Sequence, residues 1–184
     1  MIQRRDLRKE GNIMSWMEEL GGVLRQYTGA AAQAPGTVHQ DFDQVTQSAP
    51  HSAIADGLCE AFRSDQTPAF EQMAAQLFSQ SNGNQRAGIL NTLMAAVGPS
   101  VMGNILGGRG GSMLGSGLSE ITPEQAQQLS PEQVQRLAFE AQKRDPSIID
   151  QFGSFYAQHP ALVKTLGGAA LAVIISRISE QHGG

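Results

Sequence analysis

The chain predicts an all-α fold of short antiparallel helices, arranged as two small bundles joined by a Gly-rich linker. Three observations lead there. Apolar residues recur at three- and four-residue spacing along most of the 184 residues. No segment sustains the period-two alternation of β-branched residues that marks a strand. Helix-start signatures, a hydroxyl residue followed by proline and an acid, recur at short intervals.

The first helical stripe comprises Trp16, Met17, Leu20, Val23, Leu24 and Tyr27, and fades before Pro35-Gly36. Thr37 is placed to cap a second helix bearing Val38, Phe42 and Val45, which stops before Pro50. A third carries Ile54, Leu58, Ala61 and Phe62. Thr67-Pro68 reads as an N-cap followed by proline at the first helical position, where its missing N–H costs nothing. Phe70, Met73, Ala74, Leu77 and Phe78 then form the fourth helix. A fifth starts near Gln85, after the turn residues 81–84, and Gly98-Pro99 is expected to break or kink it.

Residues 107–117 hold six glycines in eleven positions. Glycine maximises backbone freedom and offers no side chain to pack, so this stretch is expected to be a flexible linker. Beyond it, Thr122-Pro123-Glu124-Gln125 and Ser130-Pro131-Glu132-Gln133 repeat one capping signature. The second of these opens a helix with Val134, Leu137, Ala138 and Ala141. Asp145-Pro146 and His159-Pro160 start two more, the last running from Ala161 to about Glu180. The expected domains are therefore a basic disordered extension (1–14), an N-terminal helical lobe (15–106), the linker (107–119) and a C-terminal helical lobe (120–181).

Composition bounds the function. Charged residues are 16% of the chain, against roughly 25% in an ordinary soluble domain. Glutamine, with 20 copies, supplies much of the missing polarity. Residues 1–13 carry a net charge of +2 and the rest −6, a balance that argues against nucleic-acid binding. Lys9-Glu10-Gly11 can be encoded by a purine run resembling a ribosome-binding site, with Met14 following. Residues 1–13 are thus read either as translated upstream sequence or as an ordinary basic tail. No signal-peptide pattern is visible, and Cys59 has no cysteine to pair with, so a reducing cytoplasm is the expected compartment.

No motif carries chemistry. His39 and Asp43 share a helical face, but the third and fourth ligands that a metal needs are missing at suitable spacing. Cys59 sits late in an apolar helix and reads as a buried structural thiol rather than a nucleophile. The glycine-rich stretch lacks the Gly-Lys-Ser/Thr ending of a phosphate loop. Its single Arg-Gly-Gly, Arg109 to Gly111, falls short of the repeats of nucleic-acid-binding tails. No catalytic residue, metal or cofactor is expected.

Residues 165–176 are almost wholly apolar, bracketed by Lys164 and Arg177. Twelve residues are too few to span a bilayer, which takes about twenty. Such a helix must bury every face, either within its own lobe or partly against another subunit. In the second case Leu166, Leu171, Val173, Ile174 and Ile175 form the candidate association surface.

The glycine-rich stretch, the two capping signatures from Thr122 and Ser130, and Ala161-Leu162-Val163 together resemble uncharacterised bacterial YidB-like proteins. That resemblance covers the C-terminal half and implies a bacterial cytosolic helical protein without an assigned activity. The functional expectation is a non-catalytic structural or interaction protein that self-associates through helical surfaces, as a homo-oligomer or with a protein partner. A helical module for an apolar ligand or for peripheral contact with a membrane surface is the alternative.

Overall fold

The computed structural model describes residues 18, 21–23, 27, 36–114 and 120–182, with the side chains of 108–114 and 182 excepted. Among these residues there are helices and no strands. The elements are α1 (Val38–Ser48), α2 (His51–Arg63), α3 (Phe70–Gln80), α4 (Gly83–Val97), α5 (Pro99–Leu114), α6 (Pro123–Ala126), α7 (Pro131–Arg144), α8 (Ile148–Tyr156), α9 (Pro160–Val163), a 3-10 turn (Lys164–Leu166) and α10 (Gly168–His182). Most of the first expected helix lies outside the described residues, although Gly21 to Val23 are helical.

Helix starts follow local chemistry. Asn82, Thr122 and Ser130 each accept from the N3 backbone N–H of α4, α6 and α7, and a glutamine side chain returns the bond to the cap backbone in all three. The Asn82 cap falls inside the expected turn, and two of the expected caps work differently. The Thr37 hydroxyl donates to Asp41 Oδ2 at 2.9 Å instead of capping α1. Thr67 turns inward, donating to the carbonyls of Ala61 and Ser64, so α3 starts only at Phe70. Gly98, at φ +83°, separates α4 from α5, and the two axes differ by 116°. Gly167, at φ +95°, divides the expected last helix into α9 with its 3-10 turn and α10. Positive φ is strained for any residue with a Cβ, so the break falls at glycine.

Two expectations about layout give way. Residues 107–114 are helical and are counted with α5, with Gly107 at a left-handed φ of +55° within it; 115–119 lie outside the described residues. Helices from the two expected lobes also share one apolar core, which extends from Tyr27 to Ile178. α10 packs along α2 and against α1, α8 lies on the other flank of α2, and α3 packs along α7. Separate bundles would leave an apolar face on each of these helices in water, and pairing across the glycine segment buries them.

α2 is held tightly on both flanks. A Cβ at Gly57 would stand 2.8 Å from Ile174 Cγ2 and 2.9 Å from the Ile174 carbonyl oxygen. A Cβ at Gly153 of α8 would stand 2.5 Å from Cys59 Sγ and 3.0 Å from the Ala55 carbonyl oxygen. The small side requires no volume, so backbone meets backbone and the helices settle against one another.

Alanine is the better helix former by about 1 kcal/mol. Gly57→Ala and Gly153→Ala are nonetheless expected to destabilise the fold by about 1–3 kcal/mol, because overpacking dominates. Gly103→Ala, where a Cβ meets nothing within 4 Å, is expected to be neutral or mildly stabilising. Urea-denaturation midpoints of the three variants test the reversal of sign.

Candidate functional site

The sequence-derived association surface is not at the surface. Leu171, Ile174 and Ile175 are fully buried, and Leu166 and Val173 are 6% exposed. α1 and α2 of the same chain cover α10, and Ile174 is the residue that meets Gly57. These five side chains belong to the core, because a helix apolar on every face finds enough cover within its own chain.

What stays outside is on α7. Val134, Leu137, Ala138 and Ala141 point into the core, and Phe139 points away, 46% exposed. It is the one large hydrophobic side chain to stand so exposed among the described residues. It borders an open groove of about 590 Å³ together with Glu71 of α3, Ile105 of α5, and Glu132, Gln135, Arg136 and Glu140 of its own helix. Lys143 lies over the Phe139 ring, 5.1 Å from its centroid, and 3.6 Å from Glu140. The Glu132 carboxyl is held below its usual range by its own backbone N–H and by the Ser130 hydroxyl, so it is a firm negative charge at the start of α7. A sequence signal for this site existed: Phe139 is off the Val134–Leu137–Ala138–Ala141 stripe, on a helix otherwise polar outside that stripe.

A second concavity, about 530 Å³, is lined by His51, Ser52, Ala55, Ser154, Ala157 and Gln158. Its histidine and serines look like parts of a nucleophilic pair. Their bonds go elsewhere: His51 Nδ1 meets the Ala157 carbonyl at 3.1 Å, and the Ser154 hydroxyl donates to the Asp150 carbonyl at 2.9 Å. A serine activated by histidine needs a bond between the two, and neither His51–Ser52 nor His51–Ser154 makes one.

The remaining candidates are structural. Asp43 pairs with Lys164 at 2.7 Å, tying α1 to the 3-10 turn, and leaves His39 exposed. His159 stacks on Phe155 and approaches Gln85 at 3.4 Å. Among the described residues no three His, Cys, Asp or Glu side chains converge as a metal site would require. Cys59 is buried, with its thiol 3.7 Å from the Ile149 carbonyl. Burial first, and the Asp150 carboxylate second, push that thiol up to about 12, against the opposing pull of Arg63. Burial likewise raises the Tyr27 phenol, which donates to Asp41 at 2.7 Å. It raises the Tyr156 phenol too, offset slightly by the nearby Ser81 hydroxyl. That hydroxyl donates to the Leu77 carbonyl, and Tyr156 Oη is left as the buried side-chain polar atom without a hydrogen-bond partner among the described residues.

No single described helix is long and apolar enough to cross a membrane. Comparison with protein-family models, curated proteins and solved structures finds no match to this chain.

Two outcomes follow from the buried titrating groups. The neutral thiol is the form that Cys59 buries, so its contribution is intact below the ordinary thiol range, about 8.5, and declines as pH rises toward 12. Denaturation midpoints are expected to fall from about pH 8.5 upward, and Cys59→Ala to flatten the part of that fall below the tyrosine range, about 10. A wild-type midpoint that is level to pH 10 would contradict this. Tyr156→Phe removes an unsatisfied hydroxyl and is expected to be neutral or to stabilise by up to about 1 kcal/mol, read by the same denaturation experiment.

Proposed function

We propose that this chain is a non-catalytic interaction protein that works by association through the outer face of α7, with Phe139 at its centre. The exposure of Phe139 beside Ile105 carries the reading. Large aromatics dominate the energetics of protein interfaces. The sparse charge of the chain, 16% of residues, supports it by lowering the repulsion that keeps copies apart. The earlier candidate surface on α10 is replaced, because the chain's own helices occupy it.

The alternative, docking on a membrane surface, meets an electrostatic objection at this face. Glu71, Glu132 and Glu140 border Phe139, against Arg136 in the groove and Lys143 over the ring. A rim in which acids outnumber bases gives an anionic lipid surface no electrostatic pull, and a partner face of both signs matches it. A cytoplasmic setting is part of the proposal, supported by one buried cysteine that needs no oxidising compartment.

Sedimentation equilibrium over a concentration series tests the reading. Burying a phenylalanine contributes about 2 kcal/mol. Phe139→Ser is therefore expected to weaken association at least about tenfold, with the fold unchanged by circular dichroism. A wild-type chain that stays strictly monomeric at millimolar concentration and captures no protein partner through this face would overturn the proposal.

A further inference from the structure

Resting on that reading, we infer that the partner of this face is a second copy of the same chain, with its α7 lying antiparallel on the first about a twofold axis. The inference starts from a pattern on α7. Glu132, Arg136, Phe139 and Lys143 are spaced four, three and four residues apart. At roughly 100° per residue they form one stripe, opposite the buried Val134, Leu137, Ala138 and Ala141. Glu132, Arg136, Phe139 and Lys143 are all exposed.

The spacing reads the same from either end, and that is the requirement of an isologous contact. With the twofold axis between Arg136 and Phe139, Glu132 faces Lys143 of the second copy, and Arg136 faces Phe139 of the second copy. Symmetry doubles each contact, giving two opposite-charge pairs outside and two guanidinium–ring contacts inside. Arginine stacks well on an aromatic face, so the central pair is matched in chemistry as well as in position.

The charges also choose the direction. A parallel pairing would set Glu132 on Glu132 and Lys143 on Lys143, with the helix dipoles aligned. The antiparallel one brings the acidic first turn of each α7 to the basic last turn of the other, where Lys143 and Arg144 stand. The groove of one copy gathers three glutamates and one arginine. A second copy brings the same set, so the complementarity lies in the acidic start of each α7 meeting the basic end of the other.

Little has to be given up on pairing. In the single chain Lys143 covers the Phe139 ring at 5.1 Å and pairs with Glu140 at 3.6 Å, with its own side chain 59% exposed. Both contacts are solvent-screened and readily exchanged. Lys143 can swing to Glu132 of the second copy while Arg136 of that copy takes its place on the ring. A seam built on one helix of about 21 Å is at the small end of specific interfaces, so a weak, reversible dimer is expected.

Charge reversal in sedimentation equilibrium is the test. Glu132→Lys alone and Lys143→Glu alone each create a repulsive pair and are expected to weaken dimerisation at least about tenfold. The double variant E132K/K143E restores opposite charges across the axis and is expected to return to within about threefold of wild type. Reversed charges at both helix ends also disfavour α7 itself, so a second measurement stands beside the first. In a Cys59→Ala background, a short bismaleimide is expected to join Glu132→Cys chains to Lys143→Cys chains in a mixture, and neither kind to itself. Cross-linking of Glu132→Cys chains to one another, or none in the mixture, would overturn the antiparallel pairing. If association persists and still depends on Phe139, only this pairing falls. A monomeric wild type that binds no protein through the face removes the interaction reading as well.

Discussion

The approach of α2 to its two flanking helices sets the terms for the rest of the fold. Gly57 lets the backbone of α10 touch α2 at Ile174, and Gly153 lets α8 touch it at Ala55 and Cys59. Three helices far apart in sequence are thereby packed at backbone contact. Close packing of this kind is unforgiving, because an added methyl group has nowhere to go. It also seals the thiol of Cys59, whose burial keeps it neutral and inert. Next to this seam a chain of aromatic rings runs from Phe62 to Phe70 to Phe152 edge to face and on to a tilted Tyr156, at centroid separations of 5.2–6.0 Å. The unpartnered Tyr156 hydroxyl at its end is the cost of placing a phenol where the ring packs well and the oxygen does not.

Polar contacts position helices at the edges of this core. The buried Tyr27 phenol and the Thr37 hydroxyl both donate to Asp41, tying the chain ahead of α1 to α1 itself. Lys164 to Asp43, and the Gln76 amide to the Thr165 carbonyl, tie the 3-10 turn to α1 and α3. Arg63 to Asp150 at 2.8 Å joins α2 to α8, although both side chains are about half exposed and the pair contributes little to stability. These bonds orient helices whose attraction is apolar.

The same packing decides what is left to face outward. With the large side chains of α10 enclosed, the most apolar stretch of the sequence offers little free surface, and the proposed interaction face lies on a helix of ordinary composition. α7 gives its aliphatic side to the core and keeps an aromatic residue outside, between acids near its start and bases near its end. An exposed ring within a patterned stripe of charge is suited to recognition of another protein surface, and ill suited to binding anionic lipid.

Helix identity and many helix starts were legible in the sequence, because caps and three-to-four spacing are local: Thr122 and Ser130 make their bonds within three residues. Gly98 was legible as a break for the same reason. The glycine run was not, since glycine's preference for disorder is weak enough for a helix to continue from Pro99 to Leu114. The caps expected of Thr37 and Thr67 were lost to longer-range partners. The packing across the glycine segment and the cover over α10 were not legible, for one common reason. Periodicity tells a helix which face to bury, but which helix covers that face depends on distant residues such as Gly57 and Ile174. The sequence by itself determined an all-α chain, the caps at Thr122 and Ser130 and a core helix that must be buried. Only the tertiary structure decided that its cover is α1 and α2 of the same chain, leaving Phe139 as the large apolar side chain most exposed among the described residues.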